Sequence, residues 1–278
     1  MKAPYRGRNR YRTFLKAGEV ISRNISRMDG VVGIVGGGAI GRQFGDRFSD
    51  LDLTVYAHSD HVKSLDKVVS IGWIEYKGVD FDIVVASYEK ALGAKSPSKY
   101  WTQLRRWDQQ NTQIMYDTGD RVKDLLKSKL VYPDSEQKKL LRKYHQETHE
   151  YIVFFPEMWA ERGWLYNIVD SLMKGVQTIV LWIYARNKAF EPFMPKWPFF
   201  HFENNSIPES KYLKRLTRVY TDPIKTIRAA MRIREDLLEL CGDIGMRWEV
   251  YSTEQAQERC RKNWRKVSED TRKALTWK

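Results

Sequence analysis

Apolar residues along this chain change their spacing near residue 87. Before it they cluster in short runs or alternate with polar positions, as strands do; beyond it they recur every three or four residues, as helices do. The pattern predicts a helix near Tyr11–Ser26, a strand at Val31–Val35, a short helix from Ile40 to Phe44, a strand at Leu51–Tyr56 and a helix near Asp60–Val69. Gly72 to Ala86 reads as a hairpin, with strands around Trp73–Tyr76 and Val79–Val85 joined at Lys77-Gly78. Helices are expected around Tyr88–Ala94, Lys99–Gln110 and Asp120–Lys129. Val131-Tyr132-Pro133-Asp134 is the expected linker, because proline interrupts the pattern and Asp134 or Ser135 can cap the next helix.

From Ser135 onward the pattern is helical, with long amphipathic stretches near Glu136–Phe155 and Trp164–Asn187. Glu191 to Pro208 reads as a loop holding Pro192, Pro195 and Pro198, and helices return at Glu209–Tyr220, Pro223–Cys241 and Thr253–Trp264. The expected fold class is α/β (α+β): a mixed-sheet domain over residues 1–130, then an α-helical bundle over residues 131–278. A chain of 278 residues is long enough for two domains, each with its own core.

Charge alters this picture at the ends only. Residues 1–30 hold 8 basic and 2 acidic side chains, residues 211–278 hold 17 and 10, and residues 31–210 balance at 23 each. Basic ends suit nucleic acid, although a solvated helix face with mixed charges is the commoner explanation. The most apolar run, Gly175 to Ala185, is too short to span a bilayer, and the Arg- and Tyr-rich start lacks the apolar stretch of a signal peptide. Cys241 and Cys260 form no C-x-x-C and read as buried thiols in a reducing compartment. The expectation is a cytoplasmic protein with no membrane partner.

Chemistry concentrates between Ile34 and Tyr56. An apolar run enters a glycine turn, and Asp50 and Asp52 then flank one leucine at the start of the next apolar run. Carboxylates at i and i+2 on a strand share a face and repel, an arrangement that a divalent cation relieves. Glycines after a strand let backbone N–H groups approach a phosphate. Asp80 and Asp82 alternate with Val79, Phe81 and Ile83 and so share a face of their own strand. If the two strands are neighbours, three or four carboxylates converge. Gly36, Gly38 and Gly41 also match the dinucleotide fingerprint G-x-G-x-x-G, but the helical remainder of the chain supplies no further βαβ units.

The order of glycine turn, Ser49-Asp50-Leu51-Asp52 and a later strand acid resembles the DNA polymerase beta-like nucleotidyltransferase superfamily. Within it, Ile40-Gly41-Arg42-Gln43 and Ile114-Met115-Tyr116-Asp117-Thr118-Gly119 are similar to the kanamycin-type antibiotic adenylyltransferases, which act on aminoglycosides and lincosamides. The likeness covers roughly residues 20 to 130. It implies Mg²⁺ at Asp50, Asp52 and Asp82, with Asp82 holding a second ion or accepting the acceptor's proton. It places ATP or another nucleoside triphosphate at Gly37, Gly38, Ala39, Arg42 and Ser49. Lys196, in Met194-Pro195-Lys196-Trp197, resembles the family's proline-lysine element and would add positive charge; a loop lysine in water is the plain alternative. A glutamate of the helical domain, Glu147 or Glu150, would activate the acceptor. Gly38-Ala39 departs from the family's Gly-Ser, whose hydroxyl contacts a phosphate, so weaker triphosphate contact or a non-catalytic copy of the fold is also compatible with the sequence.

His145 and His149 stand at helical spacing but lack the order of a zinc-protease helix and a third ligand. The ten tryptophans fall mostly in helical segments and read as core or as acceptor-pocket wall. Aromatic walls at Trp159, Trp164, Tyr166, Trp182 and Trp197, with few surplus acids, favour a neutral or weakly charged hydroxylated small molecule as acceptor; nucleic acid is the less favoured partner.

Overall fold

A computed structural model of the chain describes residues 8–69, 74–75, 78–192, 197–204 and 206–248. Among them five strands form one mixed sheet: β1 (Val31–Gly36), β2 (Leu51–Ala57), β3 (Ile74–Glu75), β4 (Asp80–Ser87) and β5 (Gln113–Asp117), in the order β3-β4-β2-β1-β5. β2 and β4 run parallel, with Leu51 opposite Phe81 and Asp52 opposite Asp82. The other pairings are antiparallel. The helices are α1 (Tyr11–Ile25), α2 (Gly38–Gly41), α3 (Val62–Val69), α4 (Tyr88–Gly93), α5 (Gln103–Gln110), α6 (Arg121–Lys129), α7 (Asp134–Thr148), α8 (Phe155–Glu161), α9 (Leu165–Arg186), α10 (Phe200–Glu203), α11 (Leu213–Thr221) and α12 (Ile227–Asp243). The molecule is thus a mixed α/β sheet region with an extensive helical region, the class the pattern predicts.

The sheet sorts its side chains by the two-residue alternation of strands. Leu51, Leu53, Val55, Phe81 and Ile83 face one way and bury against Phe14, Ala17 and Ile25 of α1. Tyr56 and Ala86 face the other way, with Val32 and Val35 of β1, and pack under Trp101, Val122 and Leu125. β1 lies between two strands and is apolar on both faces, as its unbroken apolar run requires.

Several elements depart from the expected pattern. β5 is a strand that the apolar spacing does not mark, because Gln113–Asp117 is a short edge strand with no fully buried residue. The short helix after the glycine turn begins at Gly38, not Ile40. α5 begins only at Gln103, where the Thr102 hydroxyl caps it by accepting the Arg105 N–H at 3.1 Å. The helix expected to run to Phe155 passes through a π-helical turn, His149–Phe154, and continues as α8, whose Pro156 sits in the first turn, where a missing N–H costs nothing. The expected Thr253–Trp264 helix, Cys260 and Lys196 lie outside the described residues.

Compactness divides the chain into Met1–Gln146 with Gln177–Lys214, and Glu147–Val176 with Arg215–Lys278. This division does not follow the Val131–Asp134 linker, because contacts tie the segments on its far side to the sheet unit. Arg106 of α5 pairs with Glu136 of α7 at 2.5 Å, and Gln137 donates to the carbonyls of Ala185 and Arg186 at 3.0 and 2.9 Å. In the second unit, buried Arg234 of α12 donates to the carbonyls of Ile152 and Val153 at 2.8 and 3.0 Å, satisfying the π-turn, and to Glu157 at 2.7 Å. α9, at 22 residues, is long and apolar enough to cross a membrane by length and composition, which the expected Gly175–Ala185 run is not; 67% of its most apolar window is buried within the protein, so packing accounts for its apolarity.

Candidate functional site

On the sheet face that carries Tyr56 and Ala86, the strand ends nearer Asp52 and Asp82 are not covered by core. They open into a cavity of about 350 Å³ within the first compact unit. Its floor is Asp52 and Thr54 of β2 with Asp82 and Val84 of β4, and its rim includes Gly37, Gly38 and Arg42. The opposite wall is α5 and the residues after it, through Leu104, Arg105, Trp107, Asp108, Gln109 and Thr112, with Trp197 closing one side.

The glycines hold this geometry by packing. Gly38 has φ +48°, and a Cβ built there would lie 1.6 Å from Asp52 Oδ2, so only glycine lets the Asp52 carboxylate sit against the turn. A Cβ at Gly41 would lie 1.5 Å from the Asn111 carbonyl oxygen, so this glycine admits the end of α5. The Gly37 N–H donates to the Asp52 carbonyl at 2.8 Å and is spent on the sheet rather than left for a phosphate. The Gly38 N–H belongs to the first residue of α2 and has no carbonyl one turn earlier in the helix to receive it. α5 is fixed to the sheet by the Tyr56 hydroxyl, which donates to Gln109 Oε1 at 2.9 Å.

Charge in the cavity is split between walls. Asp52 and Asp82 stand opposite each other on the floor. The Arg42 guanidinium lies over the Trp197 ring at 4.3 Å, and Arg105 lies over Tyr100 at 3.9 Å, both stacked in the manner that orients an arginine. Asp108 lines the cavity and keeps more than a third of its surface accessible. Its carboxyl is pushed up to about 6, first by desolvation and then by the negative charge of Asp52, against the pull of Arg42 and Arg105. Trp107 keeps its buried indole N–H without an acceptor among the described residues, the kind of orphan that a ligand oxygen relieves.

The residues singled out from sequence fall in different places. Asp52, Asp82, Gly37, Gly38 and Arg42 line the cavity. Asp50 precedes the first residue of β2 and is not part of the lining, so the two-residue alternation does not extend to it. Ser49 closes a local turn, its hydroxyl receiving the Asp46 N–H at 3.0 Å and donating to Asp46 Oδ1 at 3.1 Å. The Ala39 side chain is fully buried in the α1 core and is not part of the cavity lining. Glu147 and Glu150 belong to the second compact unit, Glu150 on its π-helical turn. Sequence reading missed Arg105, Trp107, Asp108, Gln109 and Thr112. On a helix, Arg105-Arg106-Trp107-Asp108 gives no signal that separates it from a solvated face.

The donor set can be weighed against a metal ion. Among the described residues, no three of His, Cys, Asp and Glu are gathered to hold one; this covers His145 and His149 as well as the expected Asp50-Asp52-Asp82 set. Two opposed carboxylates on a cavity floor still fit Mg²⁺, which ordinarily takes one or two protein carboxylates and completes its shell with water and substrate phosphates.

No protein-family model and no curated protein matches the chain. Among solved structures it is similar to a nucleotidyltransferase-like protein from Exiguobacterium sibiricum 255-15, with a TM-score of 0.43 and 10% identity over 86% of this chain and 82% of that one. A likeness at that level settles neither family nor activity, and the functional reading rests on the cavity itself.

Proposed function

We propose that the chain is a metal-dependent nucleotidyltransferase that moves a nucleoside monophosphate, AMP by its sequence resemblance to kanamycin-type adenylyltransferases, from a triphosphate to a hydroxyl of a small molecule. The observation that carries this reading is the register of Asp52 against Asp82 on adjacent parallel strands, at the floor of a cavity whose other walls bring two stacked arginines. Mg²⁺ held by Asp52 and Asp82 would supply neutralisation of the phosphate charge. Arg42 and Arg105 would grip phosphate oxygens, each fixed in direction by the ring beneath it, so that little side-chain entropy is lost on binding. Val84, Leu104, Trp107 and Trp197 offer apolar surface to the rest of the substrates and exclude water from the reacting centre. A neutral or weakly charged hydroxylated acceptor suits this wall better than a polycation.

The test is incubation with each α-labelled nucleoside triphosphate, Mg²⁺ and a panel of aminoglycosides, lincosamides and nucleosides. Labelled acceptor with stoichiometric pyrophosphate supports the reading. Triphosphate binding with no product across the panel would leave a catalytically weak nucleotide-binding protein, the reading that the buried Ala39 favours.

A further inference from the structure

The cavity holds a third carboxylate that the nucleotidyl-transfer reading does not employ. Asp108 comes from α5, on the wall facing the sheet, whereas Asp52 and Asp82 come from the strands. Whatever lies between floor and wall is therefore bracketed by carboxylates from two sides. α5 is also well anchored for this purpose: Gln109, the next residue, receives the Tyr56 hydroxyl, and Gly41 admits the end of the helix. The charged groups facing Asp108 are Asp52 from β2, Arg42 from the segment after α2 and Arg105 from its own helix.

Resting on that reading, we infer that Asp108 is the general base that takes the proton of the attacking hydroxyl. In the step, the acceptor oxygen forms a bond to the α-phosphorus while the bond from that phosphorus to the bridging oxygen breaks. The bridging oxygen's electron pair leaves with pyrophosphate, and the hydroxyl proton passes to Asp108. With water as acceptor the same balance gives a nucleoside monophosphate and pyrophosphate. Position separates Asp108 from Asp82 in this role: Asp82 stands beside Asp52 on the metal side, and Asp108 alone among the lining carboxylates approaches from the wall opposite. No glutamate from the second unit is then required.

The experiment uses the full chain and two probes. α,β-Methylene-ATP with Mn²⁺, followed by calorimetry, reads binding; [α-³²P]ATP with Mg²⁺ and water as acceptor reads turnover. For Asp108→Asn, turnover should fall by about 10²- to 10⁴-fold, the usual contribution of a general base. Its analogue affinity should be equal to wild type or tighter, because a negative charge has left the phosphate site. Asp108→Glu should recover part of the lost turnover. Asp108→Asn turnover within about threefold of wild type overturns the base assignment while leaving the transfer reading intact. A wild-type chain that binds no analogue overturns the transfer reading instead. Binding without pyrophosphate release by the wild type counts against the base, since an intact base beside bound substrate should turn it over.

Discussion

Gly38→Ala isolates the contact that places Asp52. Two costs can be read from the structure. Residue 38 has φ +48°, which an L side chain adopts at a cost of about 1–2 kcal/mol. The new methyl would also lie 1.6 Å from Asp52 Oδ2 and 2.8 Å from its Cγ. The obstructing atoms end a flexible side chain, so the carboxylate swings away and adds little to the stability loss. The fold should survive, with Tm lowered by about 3–6 °C. The site should not: with Asp52 displaced, Mn²⁺ binding in the presence of α,β-methylene-ATP, followed by electron paramagnetic resonance, should weaken by at least about tenfold. Gly41→Ala makes the contrast, because its methyl would meet the Asn111 carbonyl at 1.5 Å, which is backbone, and α5 itself must shift. That variant should lose more stability than Gly38→Ala. A Gly38→Ala protein with wild-type Mn²⁺ affinity would refute the reasoning that this glycine exists to seat the Asp52 carboxylate.

Other outcomes follow from the same structure. Asp82→Asn should reduce transfer by about 10²-fold or more, and Asp80→Asn only a few-fold, because Asp82 lines the cavity and Asp80 does not; the reverse order in steady-state rates would place the wrong acid at the site. Arg106→Met leaves the largely covered Glu136 with the Gln103 amide but without its counter-charge and should cost about 2–4 kcal/mol in urea unfolding, most of it regained by adding Glu136→Leu; a single-variant loss below about 1 kcal/mol would contradict this. Asp108 holds its proton more tightly folded than unfolded, with its carboxyl moved from 3.8 to about 6, so ionising it across that window weakens the fold. Asp108→Asn should therefore be the more stable protein above about pH 6, by about 1 kcal/mol after solvent screening, and lose the advantage below about pH 4. Equal urea midpoints for the two proteins at every pH would contradict the raised Asp108 carboxyl, from desolvation first and from Asp52 second.

The strands were legible where a single physical signal dominated. The alternation of Asp80 and Asp82 with Phe81 and Ile83 is the exposure pattern of β4, and the apolar run at Val31 is the doubly covered β1. β5 stayed hidden because an edge strand buries too little to impose a pattern. Asp50 lies one residue before β2, where period two is no longer imposed, and it is not among the cavity-lining residues. Asp108 and Arg105 were illegible for a different reason. Their meaning comes from the approach of α5 to β2, which Gly41 and Tyr56 permit and fix, and no local spacing encodes that meeting. The glycines were noticed, but their work is to seat a carboxylate and a helix end, with one of their amides already bonded to the sheet.

The central claim is that Asp52 and Asp82 form the metal floor of a triphosphate site. It is tested most directly by a crystal soaked with Mn²⁺ and α,β-methylene-ATP, with anomalous scattering locating the ion. The account predicts Mn²⁺ bound by both carboxylates and by phosphate oxygens, with Arg42 on the triphosphate. Mn²⁺ and nucleotide bound elsewhere, with both carboxylates untouched, would contradict it.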